Sequence, residues 1–133
     1  MLTLPNNNEL ITEYELLRQE ITNIDAQIRD LQAHHTSLLT AKESINGLKN
    51  IKERELLVPG GAGIYFNAYI KDNKSCLVNV GANIIIEMNF IKADKVISER
   101  VDQALSMIIK LNENADMMVQ RLRQIESTIQ AGQ

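Results

Sequence analysis

Two blocks of the chain repeat apolar residues at spacings that alternate between three and four. The first block covers residues 10–45, and the second covers residues 97–129. This heptad pattern is typical of helices that pack along a narrow apolar seam. No proline interrupts either block, so the sequence predicts two long helices, over residues 9–50 and 92–131. Asn6 is expected to cap the first of them.

The two apolar seams are similar in length, which favours an antiparallel pair of helices within one chain. Each helix of about 40 residues would span roughly 60 Å at a rise of 1.5 Å per residue. A compact globule of this size has no room for such a helix. In the predicted pairing Leu17 lies near Ile125, and Ile45 lies near Ile97.

The segment between the helices changes to a period of two, which indicates β-strands. Its glycines and polar residues predict the turns between them. The expected strands cover residues 56–58, 64–70, 76–80 and 84–90, with turns at 59–61, 71–74 and 81–83. Two successive β-hairpins therefore occupy residues 55–90, and the whole chain, 1–133, is expected to form a single subunit.

The predicted hairpins have a composition that requires partners. Four short strands cannot form a stable closed unit by themselves, and the run Ile84-Ile85-Ile86 would leave an exposed apolar edge. The sequence therefore predicts an obligate oligomer.

Composition and charge narrow the class of protein. The 133 residues include 14 Lys and Arg against 17 Asp and Glu, a formal net charge of −3. This mild acidity argues against nucleic-acid binding, which needs clustered cations. The sequence shows no long apolar run and no signal peptide, and its single cysteine cannot form an internal disulfide. We expect a cytoplasmic protein that does not bind a membrane.

Some residues are of types that bind phosphate or metals or act in catalysis, but their sequence context favours a structural role for each. The glycine-rich residues 60–63 precede a strand rather than a helix and lack the lysine of a phosphate loop. His34 and His35 point about 100° apart on a helix and cannot share a metal ion. His35 and Lys42 instead fall on the first seam, where polar residues set register. Cys76 has no candidate base. We expect no enzyme activity, no metal and no cofactor.

Six apolar residues near the chain ends are not needed by the seams: Leu2, Leu4, Ile11, Leu16, Met117 and Val119. In an antiparallel pair they converge at one tip, where they could form a binding surface. Isolated apolar residues are also normal on protein surfaces, and Leu39, Met107 and Ile109 lie off the seams without being near that tip. The sequence alone leaves both interpretations open.

The order of helix, two hairpins and helix resembles the α-class subunits of archaeal-type prefoldin. The resemblance covers essentially the whole chain. It is carried most specifically by Leu-Leu-Val-Pro at residues 56–59 and by Val-Asn-Val-Gly-Ala-Asn-Ile-Ile-Ile-Glu at residues 78–87. Gly60 stands where a larger apolar residue is expected, and Asn83 where a small residue is common.

The resemblance implies an α+β fold in which a long antiparallel coiled coil carries two central hairpins that join an oligomeric β-barrel platform. It implies a hexamer in which this chain and a second copy assemble with four β-class subunits. Such complexes capture unfolded or nascent client proteins without ATP and transfer them to a group II chaperonin. A structural coiled-coil tether or scaffold, without unfolded-protein binding, is the alternative.

On this interpretation two sets of residues carry the function. The platform is expected to use Leu56, Val58, Ile64, Phe66, Val78, Val80, Ile84 and Ile86. Client contact at the tips is expected to involve Leu4, Ile11, Met117, Leu122 and Ile125.

Overall fold

The computed structural model describes residues 6–51, 55–71 and 74–132, and it contains two long helices and two β-hairpins. The elements in chain order are α1 (Asn7–Lys49), β1 (Glu55–Gly61), β2 (Ile64–Tyr69), β3 (Ser75–Asn79), β4 (Ile85–Asn89) and α2 (Phe90–Ala131). The predicted fold class is confirmed. The chain forms two compact units, and we name them the terminal unit (Met1–Thr36 with Gln103–Gln133) and the hairpin unit (Ser37–Asp102).

The terminal unit pairs the first part of α1 with the last part of α2. Ile24 and Ile28 of α1 are buried in one cluster with Ile108 and Ala115 of α2. Leu31, Leu111 and Met118 pack against this cluster. All seven residues follow the alternating spacing of three and four that defines the two blocks, so the apolar stripe of each helix is buried by its neighbour. The Asn6 amide oxygen accepts a hydrogen bond from the backbone N–H of Glu9 at 2.8 Å, which confirms the predicted cap of α1.

The hairpin unit has its own core. Its buried apolar residues are Leu38, Ile45, Val78, Met88, Phe90, Ala93 and Ile97. Ile45 and Ile97 line the same groove, in keeping with the predicted register. Lys42 lies on the seam as expected, and its Nζ donates a hydrogen bond to Ser98 Oγ at 2.7 Å. A polar link between α1 and α2 therefore accompanies the apolar contacts in this unit.

Helix α2 follows β4 without a linker. The Asn89 amide oxygen accepts a hydrogen bond from the Lys92 backbone N–H at 2.8 Å and so caps the helix. Phe90, predicted to end the last strand, is instead the first residue of α2, because a side-chain cap at the preceding position allows the helix to begin there.

The turn of the first hairpin lies later in the chain than the sequence predicts. Strand β1 continues through Pro59 to Gly61, with a bulge between these two residues, and it pairs with β2 in antiparallel register. The turn falls at Ala62 and Gly63, so the expectation of a turn at residues 59–61 was wrong. Positive φ angles of 98°, 51° and 78° at Gly61, Ala62 and Gly63 reverse the chain here. Proline is tolerated in β1 because an edge strand does not need every backbone N–H.

The second hairpin has the turn that the sequence predicts. Gly81, Ala82 and Asn83 have φ angles of 110°, 50° and 60°. Asn83, unusual at its position, takes up the left-handed conformation that asparagine tolerates. The predicted turn at residues 71–74 includes two residues that lie outside the described part of the chain.

Candidate functional site

Both faces of the first hairpin expose large apolar side chains. Val58 of β1 pairs with Phe66 of β2, and Leu57 pairs with Asn67 on the opposite face. The exposed set is Leu57, Val58, Ile64, Tyr65, Phe66 and Tyr69. Leu56, predicted for the platform, is half-buried. A two-stranded sheet with apolar residues on both faces cannot bury them within itself.

The second hairpin buries one face partly and exposes the other. Val78 and Met88 pack into the core of the hairpin unit. Val78, which was predicted for the platform, is therefore already buried by its own subunit. The exposed residues are Leu77, Val80, Ile84, Ile85 and Ile86. Together with the exposed set of the first hairpin, they form what we name the hairpin surface.

Several residues of the hairpin surface are not predicted when only every second residue of a strand is assigned to the platform. Leu57, Tyr65, Tyr69, Leu77 and Ile85 point to the face that a period of two assigns to solvent. For Leu57 and Ile85 the signal was present in the runs of consecutive apolar residues at 56–58 and 84–86, which are typical of strands buried on both faces.

The glycine at position 60 is explained by a neighbouring ring. A Cβ atom at Gly60 would lie 2.4 Å from Cε2 of Phe66. The Phe66 ring of β2 thus fills the space beside Gly60 of β1 that a larger side chain at position 60 would need. An aromatic ring over a strand glycine protects the exposed backbone at that point.

The second surface lies at the end of the terminal unit that holds the beginning of α1 and the end of α2. Met117 is 67% exposed, and Ile11 is also exposed, whereas Leu122 is half-buried. Ile125 is 0% exposed. Its predicted client contact needs correction, because the seam buries the whole side chain. Leu4 lies outside the described residues.

Leu16 is one of the six apolar residues that the seams do not need, and it is 61% exposed, although the predicted client contacts do not include it. We define the tip surface as Ile11, Leu16, Met117 and the half-buried Leu122. Two grooves accompany these residues. One is lined by Ile11, Tyr14, Glu126, Ile129 and Gln130, and the other is lined by Leu17, Asn114, Met117, Met118 and Arg121.

Two polar contacts join the helices next to the tip surface. Arg121 Nε and Nη2 donate hydrogen bonds to Oε1 and Oε2 of Glu13 at 2.7 and 2.9 Å. The Tyr14 hydroxyl donates to Glu126 Oε1 at 2.9 Å. The hydrogen bonds from Arg121 lower the pKa of Glu13, and the bond to Glu126 raises the pKa of Tyr14. Both contacts connect α1 to α2 and favour a closed seam at this end.

Acid should weaken the Glu13–Arg121 contact. Because the folded-state pKa of Glu13 is below its ordinary value of 4.5, the ion pair stabilises the fold at neutral pH. This stabilisation is lost as the pH falls below about 4.5 and through the lowered pKa. We expect Glu13→Gln to lower the melting temperature slightly at about pH 7 and not at about pH 3, since exposed pairs contribute little. Glu15→Gln, which removes a carboxylate with no ion-pair partner among the described residues, should show no such pH dependence.

The described residues offer little for catalysis or metal binding. No group of three or more His, Cys, Asp or Glu among them could hold a metal ion. Cys76 is half-buried in β3, where burial raises the pKa of its thiol and so disfavours the reactive thiolate. Within the described ranges, neither helix has the length of apolar sequence needed to span a bilayer.

Comparisons with known proteins agree on one family. A family model described as prefoldin subunit matches residues 17–133. The chain is 30% identical over 128 residues to prefoldin subunit alpha of Thermofilum pendens, covering 93% of this chain and 97% of that one. It is 28% identical to prefoldin subunit alpha of Methanococcus aeolicus, covering 94% and 90%. A cryo-EM chain of filamentous PFD from Methanocaldococcus jannaschii has the same fold, with a TM-score of 0.73 at 22% identity, covering 91% and 98%.

Proposed function

Because the chain belongs to the prefoldin family, whose members are subunits of oligomeric molecular chaperones, we propose that it captures unfolded or nascent polypeptides at its tip surface. Ile11, Leu16 and Met117 carry this proposal. They are large apolar side chains that the seam leaves exposed at one end of the terminal unit. Exposed apolar groups bind unfolded segments because burial removes both surfaces from water.

The hairpin surface supports the assembly part of the proposal. Eleven large apolar side chains of the two hairpins are exposed in the single chain, nine of them in the strands. Two-stranded sheets cannot bury such side chains within themselves, so a further surface is needed to cover them. We propose that partner strands cover this surface in a platform of two α-class and four β-class subunits.

Several weak contacts would suffice for capture. When the tips of several subunits hold one client, each bound tip raises the effective concentration of the others. Flexible residues such as Met117 adapt to clients of different sequence. Release to a group II chaperonin then requires no nucleotide, since each contact can dissociate singly.

A double substitution tests capture. We expect Ile11→Ser with Met117→Ser to raise the amount of complex needed for half-suppression of client aggregation by about tenfold or more, because each serine removes up to about 1.5–3 kcal/mol of apolar burial. Light scattering of a heat-denatured client measures the effect, and native mass spectrometry should report an unchanged assembly.

The matched control is Ile109→Ser with Met107→Ser. These residues are of the same types, are exposed in the same unit and lie roughly two to three helical turns before Met117 on α2. The control should suppress aggregation as well as the unsubstituted protein. Equal loss in both double variants would indicate a general effect of apolar content. No suppression by the unsubstituted complex would favour the tether alternative.

A further inference from the structure

The exposed apolar residues of the tip surface each have a glutamate four positions away on the same helix. Ile11 precedes Glu15, Leu16 precedes Glu20, and Met117 follows Glu113. Side chains four apart on a helix are neighbours, with Cβ atoms roughly 5–6 Å apart. Each apolar contact point therefore has a carboxylate beside it.

The structure shows no neutralising partner for these three glutamates among the residues that it describes. No ion pair of Glu15, Glu20 or Glu113 is found among the described residues. Among the cations nearest to them on the helices, Arg121 pairs with Glu13, and the Arg18 guanidinium lies 5.9 Å from the centre of the Tyr14 ring. Lys110 lies three residues before Glu113 on α2 but makes no ion pair with it. The carboxylates beside the apolar residues are thus left to interact with a ligand.

The charge of the whole unit has the same sign. Residues 1–36 and 103–133 contain nine acidic and five basic side chains, whereas residues 37–102 contain eight and nine. The excess acid is confined to the unit that carries the tip surface. An approaching cationic segment would be attracted over a distance of about 8–10 Å at moderate salt.

We infer that the tip surface prefers unfolded segments in which apolar residues alternate with lysine or arginine over equally apolar segments that carry acidic residues. The apolar side chains provide the affinity, and the glutamates Glu15, Glu20 and Glu113 provide the choice between clients. A segment with acidic residues would place like charges beside these carboxylates and bind less well. This inference rests on the proposed client capture and names the class of client.

Three short peptides of equal length test the preference. They share the same leucine and phenylalanine positions and carry lysine, glutamine or glutamate between them. Fluorescence anisotropy with the intact complex from its own cells measures each affinity. Exposed charge pairs are individually weak, so three contacts should make the lysine peptide bind about threefold to tenfold tighter than the glutamate peptide at low salt. Added salt should reduce this ratio.

The variant Glu15→Gln with Glu20→Gln and Glu113→Gln should bring the ratio close to one while still binding the glutamine peptide. A control, Glu43→Gln with Glu99→Gln and Asp102→Asn, removes as many exposed carboxylates from the hairpin unit and should keep the preference. Equal binding of all three peptides by the unsubstituted complex, or loss of the preference in the control, would overturn the inference alone. Binding of none of the peptides would overturn the proposed capture itself.

Discussion

Replacing Leu57 and Leu77 with serine is expected to convert the oligomer into free chains. These leucines are 66% and 71% exposed in the single chain and belong to different hairpins. If partner strands cover both, the two serines remove about 3–6 kcal/mol of apolar burial per subunit, a factor of about 10² to 10⁴ in affinity. Native mass spectrometry at micromolar concentration would measure the loss.

The fold of the free chain should survive this change, because neither leucine contributes to the core of the hairpin unit. Circular dichroism should therefore report unchanged helix content. Leu39→Ser with Leu105→Ser is the matched control, since both leucines are exposed on the helices rather than on strands. A complex of unchanged mass in the Leu57 and Leu77 variant would show that the hairpin surface does not hold the assembly together.

Ile125→Ala is expected to open the seam beside the tip surface. Ile125 is fully buried, and truncation of a buried isoleucine to alanine costs about 2–5 kcal/mol through lost burial and the cavity left behind. A local loss of about 3 kcal/mol would accelerate amide hydrogen exchange roughly a hundredfold in the last turns of α2 and the first turns of α1. Exchange in the hairpin unit should not change.

Ile109→Ala provides the comparison within the same helix and the same unit. Ile109 is exposed, and its truncation should change stability by about 0.5 kcal/mol or less. If exchange near the ends of the chain is the same in both variants, the paired seam at Ile125 does not protect that region in solution. A large increase for Ile125→Ala alone would confirm that the seam holds the tip closed.

Local sequence patterns were sufficient to predict the two helices and most of the two hairpins. The heptad spacing predicted which residues of α1 and α2 are buried, because burial of an apolar stripe requires that period whatever the partner helix is. The cap of α1 could be predicted from Asn6, because its hydrogen bond to the Glu9 backbone N–H joins residues three apart in the sequence. The positive φ angles at Gly81 and Asn83 likewise follow from local conformational preference.

The position of the first turn and the first residue of α2 could not be predicted from the periodicity of apolar residues. The Pro-Gly-Gly sequence at residues 59–61 is compatible both with a turn and with the end of an edge strand. These residues belong to the strand because β1 pairs with β2 as far as Gly61. Phe90 has the alternation expected of a strand, but Asn89 caps a helix at that point. At residues 59–61 the pairing with another strand made the choice, whereas at Phe90 the choice was made by a side-chain cap whose hydrogen bond joins residues three apart.

The sequence by itself determined the two apolar seams, the two hairpins and the excess of apolar residues near the chain ends, because each depends on residues close together in the chain. The tertiary structure decided which of the spare apolar residues are exposed. Leu16 and Met117 are left in solvent, whereas Val119 is half-buried. This distinction depends on how α1 and α2 rotate toward each other, and the side chains of both helices set that rotation together.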